Sequence, residues 1–317
     1  VVLDLLRLSA GFALLILGAH RFVEGAVGLA ARLRVPALVV GLTVVAVGTS
    51  LPELSVNVSA ALNGTTALAA GNALGSNILN ILVILGIAAL IRPMAVRPSS
   101  MRLEVPLAIG LPLLLWPMAW GFSAGGDIGV LSRWEGMALL TGGVAYFLWL
   151  YARHAVEPEA PPGLRSPAAI ALLLAAGMAL LAIGSQVTVT GALHLARAAG
   201  LSEAVIGLTV VAFGTSLPEL ATSAMAAWRG NADIAVGNIL GSNIFNILLI
   251  LGVTGLIRPI PFTPAMRADL GMTALAALLL WLAVLPVRGH RLGRPAGAMF
   301  LLVYAGYAAW TLGVFGR

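Results

Sequence analysis

The chain has 317 residues, of which 60% are hydrophobic and only 9% charged, with a mean hydropathy of +1.02. That balance argues against a soluble globular domain and for a chain that crosses a lipid bilayer many times. The net charge of +6 comes from 18 basic residues, all Arg and scattered singly between apolar runs; this is the pattern of membrane topology, not of a nucleic-acid surface, and with no Cys there is neither a disulfide nor a thiolate metal site.

The first apolar run, Leu5 to Leu29, is too long for a signal-peptide core and shows no cleavage site, so it reads as the first span. Apolar runs between Arg, Pro and Gly punctuation predict ten spans, at 4–30, 35–62, 67–91, 102–121, 131–153, 167–197, 203–228, 232–257, 266–286 and 295–315. The expected fold class is all-α, a polytopic membrane protein. The longest polar interruption, RHAVEPEAPPGLRSP from Arg153 to Pro167, reads as a short solvated linker over 155–166 between a first five-helix repeat, 1–154, and a second, 167–317.

The halves are related. At an offset of 166 residues, without a gap, Glu53 falls on Glu219, Gly41 on Gly207, Asn72 on Asn238, Ser76 on Ser242, Asn80 on Asn246 and Pro93 on Pro259. Roughly two thirds of positions 41–93 are identical to their partners, which duplication explains and chance does not. Because each half holds an odd number of spans, the second half enters the membrane upside down, and the two repeats are inverted. Leaving out Arg21, eleven arginines fall in one set of loops and six in the other; the first set is cytoplasmic by the positive-inside rule, which places both termini outside.

The chemistry sits in the hexapeptide GTSLPE, present at 48–53 and again at 214–219. Glu53 and Glu219 are carboxylates deep in spans with no opposite charge nearby in sequence, each costing about 3 kcal/mol to insert, and a bound cation supplies the missing partner. Pro52 has no N–H, so the Gly48 carbonyl loses its helical donor and neighbouring carbonyls, including that of Ala46, are expected to turn outward; Pro218 acts likewise on Gly214 and Ala212. Thr49 and Ser50 precede Glu53 by four and three residues and share its face, as Thr215 and Ser216 do for Glu219. In GNALGSNILN, Asn72, Ser76 and Asn80 stand four apart as a polar ridge, and Asn238, Ser242 and Asn246 repeat it in GNILGSNIFN. An all-oxygen set of this kind suits hard cations, Ca2+ above all, which takes about 6 to 8 oxygens. Proline alone or Gly-x-x-x-Gly alone means only bending or close packing; proline, hydroxyl pair and carboxylate duplicated together mean more. His20, Arg21 and Glu24 lack counterparts in the repeat (Gln186, Val187, Thr190) and read as an interfacial charge group, while His194 has no carboxylate beside it in sequence.

At these residues the chain resembles the cation/calcium exchanger superfamily, in its compact prokaryotic sodium/calcium exchanger form. The resemblance rests on GLTVVAVGTSLPEL with GNALGSNILNILVILG and on GLTVVAFGTSLPEL with GNILGSNIFNILLILG, and with the five-plus-five layout it covers essentially the whole chain. It implies four cation sites at mid-membrane bridged by Glu53 and Glu219. Thr49, Ser50, Thr215 and Ser216 supply hydroxyls or carbonyls, Ser76, Ser242 and the carbonyls of Ala46 and Ala212 complete outer sodium sites, and Asn80 and Asn246 line the middle. It also implies a prokaryotic inner or plasma membrane location, first and sixth spans that slide past the bundle, inorganic cations and the lipid bilayer as partners, no obligatory protein partner and no cofactor. The proton/calcium branch typically carries Glu where this chain has Gly75 or Gly241, and several exchangers carry Asp where it has Asn246.

The reading is therefore a non-enzymatic antiporter exchanging Ca2+ for Na+, with H+ in place of Na+ as the alternative. Two carboxylates neutralise one Ca2+, two Na+ or two H+. Paired acids also suit an intramembrane hydrolase, but hydrolysis needs acids in unlike surroundings and these are alike. A passive cation channel is the remaining class, which broken helices in inverted repeats fit less well than gated transport.

Overall fold

A computed structural model describes residues 2–120, 129–153, 165–200, 212–285, 289–311 and 313. Most of the linker, the beginning of the 203–228 span, and Gly207 lie outside these residues. In chain order the helices are α1 (Val2–Leu33), α2 (Ala37–Thr49), α3 (Leu51–Leu62), α4 (Thr66–Ile91), α5 (Pro98–Trp120), α6 (Arg133–Arg153), α7 (Pro167–Ala198), α8 (Ala212–Thr215), α9 (Leu217–Trp228), α10 (Ala232–Ile257), α11 (Pro264–Ala283) and α12 (Arg294–Thr311). Six of the described helices are long and apolar enough to cross a membrane, and a seventh if α2 and α3, bent by 47° at Ser50, form one broken span. The break follows from Pro52, whose ring and missing N–H stop the α2 ladder and whose fixed φ starts α3.

Two short antiparallel ribbons qualify the all-α expectation: β1 (Met94–Ala95) pairs with β4 (Arg291–Leu292), and β2 (Gly129–Leu131) with β3 (Ile260–Phe262). Their cause is local. Arg92 and Arg258 each precede a proline, which drives them extended (φ −150° and −149°) and turns the chain out of helix.

Contacts between the halves show the inversion. Arg92 ends α4 and reaches Gly230 of the second half, while its counterpart Arg258 ends α10 and reaches Gly64 of the first; both glycines have positive φ (+80° and +82°), and a Cβ on either would strike the guanidinium. Equivalent ends thus meet opposite ends, as an inverted pair requires.

Burial sorts the helices. In the most apolar stretch of α10, 94% of residues are buried, and in α4 78%, against 22% in α1 and 28% in α7. Hence α4 and α10 form the centre, and α1 and α7 lie on the outside, packed on one another. Glycines seven apart let their backbones touch: a Cβ on Gly18 would sit 2.8 Å from Leu181 N, and one on Gly177 2.6 Å from Phe22 N. Polar groups tie both ends of this antiparallel pair. Asp4 Oδ1 accepts from Arg7 Nη1 (2.8 Å) and lies 3.0 Å from His194 Nδ1, and at the other end Glu24 pairs with Arg165 and, at 3.6 Å, with Arg21. His194 therefore has a carboxylate neighbour after all, supplied by the fold across 190 residues of sequence.

Candidate functional site

The helix breaks at Ser50 and Ser216 point each hexapeptide at the other half. Ser50 Oγ donates to Glu219 Oε1 (2.8 Å) and lies 3.1 Å from Ser242 Oγ; Ser216 Oγ donates to Glu53 Oε1 (3.2 Å) and lies 3.3 Å from Ser76 Oγ. Each serine thus serves the carboxylate of the other repeat. Thr49 Oγ1 likewise crosses over, donating to Asn238 Oδ1 (3.1 Å). Both carboxylates are 1% exposed. Their Oε1 atoms take hydroxyls, while neither Oε2 has a hydrogen-bond partner.

The asparagines form a second reciprocal layer. Asn77 Nδ2 donates to the Asn243 carbonyl (3.1 Å) and Asn243 Nδ2 to the Asn77 carbonyl (3.2 Å). With those amide hydrogens committed, the two side-chain oxygens must accept, and they do: Asn80 Nδ2 donates to Asn243 Oδ1 (2.9 Å) and Asn246 Nδ2 to Asn77 Oδ1 (3.0 Å). This fixes the amides of Asn80 and Asn246 with nitrogen away and oxygen free, and their Oδ1 atoms are buried without a partner. A π-turn begins at each of these residues, Asn80–Leu85 and Asn246–Ile250, where one extra residue per turn re-aims the side chain. Asn77 and Asn243 were absent from the expected ligand set; their identity at the same offset within GSNILN and GSNIFN is the signal that finds them.

Four buried acceptors, two of them carboxylate, thus lack donors, while the hydroxyls of Thr49, Ser50 and Ser216 and the amides of Asn77, Asn80, Asn243 and Asn246 are engaged elsewhere. An unmatched buried acceptor is costly, and a cation is the species that satisfies several at once. Among the described residues no three His, Cys, Asp or Glu side chains come together, so any ion held here takes its remaining ligands from neutral oxygens.

The other expected ligands are distributed as follows. Ser76 and Ser242 are buried beside the opposite serines, and Thr215 is half-buried. The Ala46 carbonyl has not left the helix, for it accepts from Ser50 N (3.0 Å) and from Thr49 Oγ1 (3.4 Å). In the second half the turn is tighter, with Ser216 N donating to Phe213 O (3.2 Å), and Ala212 is the first described residue there. Asn72 and Asn238 donate to Asn57 Oδ1 and Ser223 Oγ (both 2.9 Å) and so brace α4 on α3 and α10 on α9. Gly241 leaves no room for the carboxylate of the proton/calcium pattern: a Cβ there would lie 2.6 Å from the Leu42 carbonyl. His20, Arg21 and Glu24 take no part, His20 being engaged by Arg229 (2.7 Å).

Comparison with known proteins agrees with this geometry. Residues 4–153 and 169–313, one segment in each repeat, match the sodium/calcium exchanger protein family. CaxA of Alkalimonas amylolytica is 41% identical over 311 residues, spanning 94% of this chain and 95% of its own, and the sodium/calcium exchanger MaX1 of Methanosarcina acetivorans is 29% identical over 97% of this chain and 98% of its own. The solved structure of the sodium-calcium exchanger NCX_Mj superposes with a TM-score of 0.83 at 31% identity, covering 97% of this chain and 98% of that one. With two inverted repeats, a reciprocal pair of buried carboxylates and matches that run through both halves, the chain belongs to the sodium/calcium exchanger family, a family of membrane cation antiporters and not of enzymes.

Proposed function

We propose that the protein exchanges Ca2+ for Na+ at a single shared site, by alternating access. The observation that carries the choice of Na+ over H+ is the company the carboxylates keep. A proton needs only a carboxylate oxygen, whereas an alkali cation must replace its hydration shell with several oxygens. Here Ser50, Ser76, Ser216 and Ser242 gather at Glu53 and Glu219, and Asn80 and Asn246 hold buried Oδ1 atoms without a donor, a supply of neutral oxygens that proton coupling leaves without a purpose. Thr49 and Thr215 complete the ligand set, while the Ala46 carbonyl, held by Ser50 N and Thr49 Oγ1, stays in its helix in the arrangement seen here. With two negative charges in the site, one Ca2+ and two Na+ are the balanced loads, and their competition for the same charges couples their fluxes.

Ten crossings as two five-helix halves, with the linker in the cytoplasm and both termini outside, complete the reading. The test is radiolabelled Ca2+ uptake into proteoliposomes loaded with Na+, set beside K+-loaded vesicles and an imposed pH gradient, with Glu53→Gln as control. Uptake that follows only the Na+ gradient is expected; uptake that follows only the pH gradient overturns the choice of coupling ion.

A further inference from the structure

The two repeats match inside the ion site but not where the outer helices meet the broken ones. On one side α1 packs along α9, and His20 of α1 is held by Arg229 at the end of α9. On the equivalent side a cavity of about 440 Å3 separates α7 from α3, lined by Ser55, Val56, Leu181, Ser185, Gln186 and Val189 among others, and running down to Thr49 and Thr215 of the site. The pair α1/α7 is thus closed over one broken helix and stands open over the other. Because the repeats are inverted, exchanging their roles describes the opposite arrangement: α7 closed on α3, and α1 open over α9.

One bond does not survive that exchange. Ser185, buried on α7, donates to the carbonyl of Gly214 at 2.7 Å. Gly214 is the residue whose carbonyl Pro218 deprives of its helical donor, so this hydroxyl replaces the missing N–H. The repeat counterpart of Gly214 is Gly48, equally deprived by Pro52, and the counterpart of Ser185 is Ala19, which has nothing to donate.

We propose that Ser185 is a positioning residue that latches the moving pair α1/α7 in the arrangement seen here, and that its replacement by Ala19 in the other repeat leaves the opposite arrangement without an equivalent latch. The inference rests on the antiport reading in supposing that both arrangements are visited; its test reads their populations and does not depend on which ions move. A bond of this kind favours the arrangement that contains it about five-fold. Transferring the hydroxyl from one repeat to the other shifts the ratio of the two arrangements roughly twenty-five-fold.

The chain has no Cys, so single reporters can be placed without background. Ser55→Cys reports the cavity now open, and Ala221→Cys, its repeat counterpart, reports the face now covered by α1. Labelling by a water-soluble maleimide is measured for each reporter in the otherwise unchanged chain, in Ser185→Ala, in Ala19→Ser and in the double variant. The expected result is opposed movement: Ser55→Cys slower and Ala221→Cys faster, least in the single variants and most in the double. Ser185→Thr, which keeps the hydroxyl, restores the original ratio. Should Ser185→Ala fail to fold, Ala19→Ser carries the test alone. Reporters that stay put in every variant, or that both speed up together as loosened packing demands, overturn the latch even where Ca2+ exchange persists. Absence of Ca2+ exchange by the otherwise unchanged chain, with opposed labelling intact, overturns the antiport reading instead.

Discussion

α7 is more apolar than α10 by composition, yet 94% of the membrane stretch of α10 is buried and only 28% of that of α7. α10 carries Asn238, Ser242, Asn243 and Asn246, each bonded to or facing a partner in the opposite half, so it cannot move without breaking several buried polar contacts at once. α7 touches α1 through glycine backbones; Thr188 and Thr190 return to their own helix, to the Gly184 carbonyl (2.7 Å) and that of Gln186 (2.8 Å), while Ser185 and His194 each reach out to one neighbouring element. The difference teaches where rigidity resides: the helices that bind the ion are locked across the two-fold relation, and the helices that flank it are smooth.

Removing a site carboxylate is the severest challenge to that division. Glu53→Gln and Glu219→Gln each keep shape and hydrogen bonding but take away half the negative charge, and since ligand charge sets divalent affinity, Ca2+ exchange is expected to fall by about 100-fold or more in either. The two variants should be equally impaired in proteoliposome uptake, because the hydroxyl partners of the two carboxylates are reciprocal. Robust transport by one of them would show that the halves are not equivalent at the ion.

Next comes the asparagine layer. Asn77→Ala removes the amide that donates to the Asn243 carbonyl and the oxygen that accepts from Asn246, leaving buried groups unmatched at a cost of about 3 kcal/mol. It should lower the thermal midpoint in detergent and, by freeing the Asn246 amide to turn its nitrogen inward, weaken Ca2+ binding as well; Asn243→Ala should do the same through Asn80. A change in stability without one in affinity would reduce this layer to packing.

A third comparison sets the two kinds of helix directly against each other. Gly241→Ala in α10 and Gly177→Ala in α7 both force a Cβ to 2.6 Å from backbone, against Leu42 O and Phe22 N respectively. Overpacking costs about 1–3 kcal/mol where neighbours cannot give way. In the locked core Gly241→Ala should take most of that from stability. On the smooth pair Gly177→Ala should change exchange rate more than thermal midpoint, because α1 and α7 can shift with lipid on their far side. Equal losses of stability would erase the distinction.

How much of this was legible in the sequence follows the same line. Duplication, inversion, the broken helices and the two carboxylates were readable because each leaves its mark in consecutive residues: a fixed offset, a proline, a charge inside an apolar run. Crossing interactions were not. Nothing near Ser50 says that its hydroxyl serves Glu219 and not Glu53, and the role of Asn77 appears only when Asn243 faces it. The glycines at 11, 18 and 25, with 177, 184 and 191 at the same offset, were visible as letters but not as a seam, since glycine is common in membrane helices and only a partner's backbone gives it meaning. Glu104 reads as a span-end acid; the fold buries it to 3% exposure, a tertiary outcome that no local pattern signals.

The weakest expected effect lies at the tied end of the smooth pair. Asp4 is shared by Arg7 and His194, with Arg7 and His194 side chains 34% and 45% exposed, so solvent screens the group and Asp4→Asn should cost only about 0.2–1 kcal/mol. Its effect is nonetheless diagnostic. If the tie serves to keep α1 and α7 moving as one body, Asp4→Asn should leave the thermal midpoint nearly unchanged while a disulfide placed between the two helices forms more slowly, because their ends are then free to splay. If the glycine seam suffices, neither quantity should move, and the union of the two helices belongs to backbone contact alone.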